Sequence, residues 1–446
     1  MTQGRPMPAL APFPPTNKPL PEGARATRVP AKYVPQLSHK ERDRRWDRAR
    51  KKMLMLGVDA LLLLGNDIYW GMGMANLRYL LQIDTQMGAE ALFPLSGAPV
   101  AWTQMWHMNR PTNPYLSLNT WMEDFRTRGG MAALADEVRS RGLDRGKLGL
   151  VGFSSTVQTT PTFLWQDIEN LKKLLPHAEF VDASHILQEM RVVKSEEEID
   201  MLRGAGRIAR KVVDAMIESA RPGVPEAVVY ADMIRTQIAN GAEPNIFNLF
   251  GSGPVEHPAG ELWHMLHGSE QPLAPTMRPL TDGDLIMTEW HTKYGGYRCH
   301  TEYSVYIGKK APKELLNIWR VSVECLEASK EALVAGKTIG DALAIIRQPA
   351  AKAGLDWVEL GFHAMGTASP EFPSVVFAEG YGGNTINGYR IMDMVLEEGM
   401  TFGNNIDLHD SRWKPDVGTM LSDFMVVRPG KAECLIGTPT ELAQNG

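Results

Sequence analysis

TEWHTKYGGYRCHTEYSVY, residues 288–306, decides how this chain is read. Glu289, His291, His300 and Glu302 crowd into the span 289–302, on a segment whose apolar residues otherwise alternate as in strands. The Tyr294-Gly295-Gly296-Tyr297 run between its halves is turn chemistry, so the spacing predicts a β-hairpin. Because side chains alternate with a period of two, His300 and Glu302 share a face, and pairing brings Glu289 and His291 onto it. Two carboxylates and two imidazoles on one face predict either a chemical site or an exposed, salt-bridged surface.

Upstream, MRVVKSEEEIDMLRGAGRIARKVVDAMIESARPGVPE (190–226) reads as a domain boundary followed by a helix. Ser195 and Glu198 have capping-box spacing, and Ile199, Leu202, Ala205, Ala209, Val212 and Met216 recur at helical intervals. Pro225 is placed to open a second helix as its first residue. Residues 251–284 read as a long binding loop rich in Gly and Pro, carrying His257, His264 and His267. Beyond the hairpin come two helices between Pro312 and Gly354, a segment carrying His363, and strands around GMTFGNNIDLH (399–409) and TMLSDFMVV (419–427).

The N-terminal part has a different rhythm. A charged run from Ser38 to Gly57 reads as a capped helix, and VDALLLLG (58–65) as a buried strand. Strand-like EALFPL, PVAWT, KLGLVG and AEFVDA alternate with helical MAALADEVRSRG and TFLWQDIENLKKLL, the pattern of an α/β domain. The expected organisation is a proline-rich arm at 1–38, an α/β domain at 39–190 and a second domain at 191–446. The arm lacks the apolar core of an export signal and is expected to lie along a partner subunit or to be mobile.

Composition narrows the function. The chain has 446 residues, 43% of them hydrophobic, enough for two cores. A balance of 47 basic against 52 acidic residues, without a basic stripe, argues against nucleic acid or an anionic membrane as the main partner. Cys299, Cys325 and Cys434 lack metal or disulfide spacing, which suits a reducing cytosol and a cytoplasmic location. No apolar run is long enough to span a bilayer. Methionine (24) and tryptophan (11) are abundant, notably in YWGMGM (69–74) and WTQMWHM (102–108), which fits an aromatic or onium-bearing small molecule.

Five strings in order, NLRYL (76–80), RVVKSEEEI (191–199), DGDLIM with KYGGY (282–297), FHAMG followed by PEFP (362–373) and LEEGMTF (396–402), resemble the creatinase, aminopeptidase P and methionine aminopeptidase superfamily. The resemblance implies an α/β N-terminal domain, an α+β pita-bread C-terminal domain, and a homodimer in which the N-terminal domain borders the neighbour's cleft. Most such proteins hold two divalent metals with two Asp, one His and two Glu. By the motifs of this chain those places fall on Glu289, His300, His363, Asn405 and Ser422, so only the histidine is unchanged. An amide and a hydroxyl cannot offset two dications, so a dinuclear site is disfavoured.

Two chemical readings follow from the resemblance. In the first, creatinase-like, no metal is held: His363 and His300 exchange protons, with Glu302 and Glu289 orienting them, in a hydrolase or lyase acting on a small non-peptide substrate. In the second, Glu289, His300 and His363 hold a single divalent metal, as a peptidase-like or dimethylsulfoniopropionate-lyase-like centre. A binding protein with a degenerate site is the third alternative. His267, His291, Glu371, Asn405 and His409 are the expected substrate contacts. The histidine that precedes the PEFP glutamate in the peptidases is Pro370 here. Creatinase's substrate arginine has no counterpart in DTQMGAEALF (84–93), which disfavours creatine.

Overall fold

The computed structural model describes residues 35–446 apart from 67–72, 85–87, 104–118, 128, 153–161, 245–247, 257–274, 376–384 and 387–388. His257, His264 and His267, most of the proline-rich arm and most of the two Met/Trp stretches lie outside the described residues.

Helix α1 (His39–Leu56) starts where Ser38 accepts from the backbone N–H of Glu41 and stops at left-handed Gly57. Strands β1 (Ala60–Gly65), β2 (Ala89–Pro94), β3 (Val100–Thr103), β4 (Asp124–Thr127), β5 (Lys147–Val151) and β6 (Glu179–Asp182) form a sheet in the order β4-β3-β2-β1-β5-β6. Helices α2 (Ala75–Leu81), α3 (Met131–Ser140), α4 (Trp165–Leu174) and α5 (Ser184–Val192) complete this part. Two apolar clusters, one holding Leu61 and Leu63, the other Leu62 and Leu64, show that β1 is buried on both faces. That explains its unbroken leucine run.

Helix α6 (Glu196–Ser219) opens with the expected capping box, in which Ser195 accepts from the Glu198 N–H and the Glu198 carboxylate accepts from the Ser195 N–H. Pro225 is not the first helical residue: its ψ of 140° is extended, making it the residue before α7 (Glu226–Ala239). Strands β7 (Asn248–Pro254), β8 (Asp284–Tyr294) and β9 (Tyr297–Ile307) form a sheet that the C-terminal strand joins. Tyr294 pairs with Tyr297, and Gly295 and Gly296 both take positive φ, as a tight two-residue hairpin turn requires.

Helices α8 (Lys313–Ala332) and α9 (Ile339–Ala353) cover a second sheet. It contains β10 (Asp356–Ala364) and β11 (Glu371–Ser374), with a short separate ribbon of β12 (Thr385–Ile386) and β13 (Tyr389–Arg390) following in the chain. The second sheet continues through β14 (Thr401–Asp410), β15 (Lys414–Met420), β16 (Phe424–Val426) and β17 (Glu433–Cys434), and β18 (Ala443–Asn445) pairs with β9. One large apolar cluster runs from α6 through both C-terminal sheets to α9. The two sheets thus present their polar faces to each other, and the site lies there.

The two parts are riveted by ionic groups. Arg45 of α1 is fully buried, with Nε donating to Glu41, Nη1 to the Tyr79 carbonyl and Nη2 to the Tyr297 hydroxyl at 2.8 Å. That hydroxyl donates on to Glu198 of α6. At the hairpin tip Lys293 pairs with Asp84 and Glu243, and Glu243 accepts from the Gly296 N–H. Among the described residues no helix is long and apolar enough to cross a membrane.

Candidate active site

The β8–β9 register sets Glu289 opposite Glu302 and His291 opposite His300, so all four side chains leave the hairpin on one face. The opposite face goes into the apolar core, where the Trp290 indole donates to Gln237. His300, Glu302 and His363 are buried and the Glu289 side chain is 12% exposed, which removes the reading of an exposed salt-bridged surface.

Glu289 is the focus. Its Oε1 lies 2.7 Å from His291 Nε2 and 3.2 Å from His300 Nδ1. Among the described residues, Glu289, His291 and His300 are the group of three whose ligating atoms all lie within 4.8 Å of one another. Burial pushes the Glu289 carboxyl up, but hydrogen bonds and charge from the two imidazoles outweigh it and hold the group well below the usual range. His300 Nε2 lies 3.3 Å from the Asn404 carbonyl, so the ring has an oxygen acceptor at each nitrogen. A Cβ on Gly403 would lie 2.4 Å from that same Nε2, so the glycine makes room for the ring.

His363, on β10 opposite Gly403, stands edge-on to His300 with ring centres 4.8 Å apart. Burial first, and then the neighbouring His300, lowers its pKa to about 3, so the ring is neutral at ordinary pH. The single-metal set expected from sequence contained His363. The group whose ligating atoms lie within 4.8 Å of one another holds His291 with Glu289 and His300, because the hairpin register points both of its imidazoles at one carboxylate oxygen.

Glu302 does not orient the imidazoles as expected. Its Oε1 accepts from Asn405 Nδ2 at 2.8 Å and its Oε2 from the Ile406 N–H at 3.4 Å. Its own N–H donates to Ser422 Oγ at 2.6 Å. The two residues at the superseded metal-glutamate places thus both attend to Glu302. Burial, then the nearby Asp407, Glu289 and Glu359 carboxylates, raise the Glu302 pKa far above normal. Asp407 is raised likewise by burial, Glu359 and Glu289, while a hydrogen bond with Glu302 partly offsets this.

Glu371, an expected substrate contact, is consumed by protein. It accepts from Lys194 at 3.0 Å, Thr367 Oγ1 at 3.1 Å and the Ala368 N–H at 3.0 Å, with Arg191 Nε 3.2 Å away. It clasps the α5–α6 junction onto β11. His409 lies half-buried toward the open end of β14, with Asp356 as its strand partner. Glu359 was not singled out from the sequence, although Glu359, Gly361 and His363 follow one another at the strand period that would have marked it. Asp407 follows Asn405 at the same strand period and was not singled out either.

The Asp407–Glu302 pair makes stability depend on pH. Folding raises both carboxyls, so the native state binds more protons than the unfolded chain, and stability falls as pH climbs through and above the ordinary carboxyl range. Glu302 from β9, Glu359 from β10, Glu289 from β8 and His409 on its own strand are the charged or titratable groups around Asp407. Asp407→Asn is expected to raise the melting temperature by a few degrees near pH 8 and less near pH 5. Calorimetry at the two values checks this, and a shift that ignores pH would exclude the carboxyl pair as its cause.

Residues 45–193 match the family described as Creatinase/Prolidase N-terminal domain, and residues 200–429 match Metallopeptidase family M24. A probable dipeptidase PepE of Mycobacterium tuberculosis is 28% identical over 264 residues, 58% of this chain and 62% of that protein. An ectoine hydrolase of Halomonas elongata is 24% identical over 277 residues, 61% of this chain and 65% of that protein. The match therefore spans somewhat less than two thirds of the length of these curated relatives. The solved prolidase of Pyrococcus horikoshii superposes with a TM-score of 0.69 at 19% identity, covering 90% of this chain and 99% of that one. Dipeptidase PepE of Mycobacterium ulcerans gives a TM-score of 0.66 at 21% identity, covering 94% and 99%. At such identities the superpositions speak for the fold, and together with the two family matches they establish that this chain belongs to metallopeptidase family M24, with a creatinase/prolidase N-terminal domain before its pita-bread domain.

Proposed function

We propose that the chain is a hydrolase that cleaves a carbon–nitrogen bond of a small molecule at a centre holding one divalent metal, with Glu289, His291 and His300 as the protein ligands. The observation that carries this is the convergence of one carboxylate oxygen and two imidazole nitrogens within 4.8 Å. Two histidines and one carboxylate are a known mononuclear donor set, and the Asn404 carbonyl behind His300 Nε2 orients that ring as metal-bound histidines are commonly oriented. A second ion finds no support, since Asn405 and Ser422 are neutral and engaged with Glu302.

A divalent ion in this place would polarise the scissile carbonyl or imine and lower the pKa of a bound water. The protein's own part is proton handling. His363, neutral and buried beside His300, is placed to hydrogen-bond and position the attacking water. Glu302, raised above the ordinary carboxyl range first by burial and held by Asn405 and the Ile406 N–H, is placed to pass a proton to the departing nitrogen. The relatives include dipeptidases and an ectoine hydrolase, so dipeptides and cyclic amidines are the substrates to try first. A homodimer, each N-terminal domain bordering the neighbour's cleft, belongs to the same proposal.

A metal-free reading has one observation in its favour: the neutral His363 imidazole and the raised Glu302 carboxyl already lie in one cleft. Elemental analysis of protein purified without chelator decides between the readings. The expected result is about one transition-metal ion per chain, lost in His300→Ala together with at least ~10³-fold in turnover, the scale of a missing central catalytic group. Full turnover by wild type in excess chelator would instead establish the metal-free chemistry.

A further inference from the structure

The face of the second sheet that carries His363 continues outward as a stripe. On β14 the residues pointing this way are Gly403, Asn405, Asp407 and His409, and on β10 they are His363, Gly361 and, past Leu360, Glu359. Moving away from the imidazoles, one meets Asn405 beside Glu302, then Asp407 with Glu359 next to it, then the half-buried His409.

The stripe is rich in acceptors and poor in donors. Asp407 is 3% exposed and Asn405 2% exposed, yet Asp407 Oδ1 and Asn405 Oδ1 have no hydrogen-bond partner among the described protein atoms. Leaving such oxygens unmatched in a dry cleft costs on the order of 1–3 kcal/mol each, which a ligand with N–H donors would recover. The Asn405 amide nitrogen donates to Glu302, so its oxygen is the atom left without a partner. Glu359 adds a carboxylate at the half-buried rim, where a ligand would enter.

A bare metal ion is the wrong size for this place. Among the described residues the three-member group close enough for one ion is Glu289, His291 and His300, and neither Glu359 nor Asp407 belongs to it. Acceptors spread along two strands suit a larger cation with several N–H bonds. We propose that Asp407, Glu359 and the Asn405 side-chain oxygen form a subsite for a cationic nitrogen group, an ammonium or amidinium, of the molecule processed at the adjoining imidazole–carboxylate centre. This rests on the hydrolase reading for its biological use, but the binding itself can be tested without turnover.

The probes are benzamidine, cationic at neutral pH, and its neutral analogue benzamide, titrated calorimetrically into the full chain with and without chelator. Wild type is expected to bind benzamidine at least tenfold more tightly than benzamide. Asp407→Asn and Glu359→Gln should each abolish most of that preference and leave benzamide unchanged, with melting curves confirming the fold. Glu359 is only half-buried, so its variant serves even if Asp407→Asn folds poorly. Preference lost in the variants but kept in metal-stripped protein supports the subsite whether or not the hydrolase reading survives. Equal binding of both probes by wild type, or a preference that both variants retain, overturns it, even if metal-dependent turnover is found.

Discussion

Gly403→Ala is expected to strip the proposed single-metal centre of its ion and of nearly all activity while leaving the fold standing. The added methyl would sit 2.4 Å from His300 Nε2 and 2.6 Å from Cδ2 of the same ring, closer than atoms approach without something moving. The β14 backbone is held by β10 on one side and β16 on the other, so the imidazole is the part that yields. Moving it breaks the contact with the Asn404 carbonyl and swings Nδ1 away from Glu289. Loss of one protein ligand from a three-ligand set should lower metal affinity by more than the ~10–100-fold typical of an outer partner. Metal content by elemental analysis, with the melting temperature measured in chelator, checks this. Unchanged metal content would mean that His300 is not a ligand.

Arg45→Ala should be the most destabilising single change away from the site. Removing one partner of a buried ion pair typically costs about 3–5 kcal/mol, because the other charge stays buried. Burial works against the Arg45 charge, but Glu198, Tyr297, Tyr79 and Glu41 more than compensate and raise its pKa well above normal. The guanidinium also lies 4.1 Å from the Tyr79 ring centre and 5.3 Å from that of Trp121. The substitution leaves Arg44 as the remaining cation for both Glu41 and Glu198 and opens a space between α1 and β9. Because Glu198 and Tyr297 belong to the C-terminal domain, denaturant unfolding is expected to split into two transitions. A single transition with a loss under ~1 kcal/mol, the scale of an exposed pair, would show the network to be ornamental.

Much of this could be seen in the residue order alone, and the parts that could not have a common cause. The Ser195–Glu198 capping box, the Ser38 and Gly57 ends of α1 and the Gly295–Gly296 turn are local, so a few neighbouring residues specify them. The hairpin face followed from the turn position, and it brought Glu289, His291, His300 and Glu302 together. What depends on pairing between distant strands was out of reach. Where His363 of β10 stands relative to the hairpin's donors depends on how the two sheets meet. The placement of Glu359 beside Asp407 depends on an irregularity in the β10–β14 register between Trp357 and Leu360. Glu371 looked like a ligand contact because its partners Lys194 and Arg191 lie some 180 residues earlier in the chain.

The attachment of the Asn405 amide to Glu302 also bears on how such a centre can change over generations. Putting glutamate back at 405 by itself would thrust another carboxyl against Glu302 and Asp407, which already crowd each other, before any second ion could neutralise it. The step back toward a pair of ions is thus uphill unless 302 or 407 mutates first. A carboxylate at 405 is thus coupled to 302 and 407 across neighbouring strands, and is expected to be tolerated only with a change at one of them.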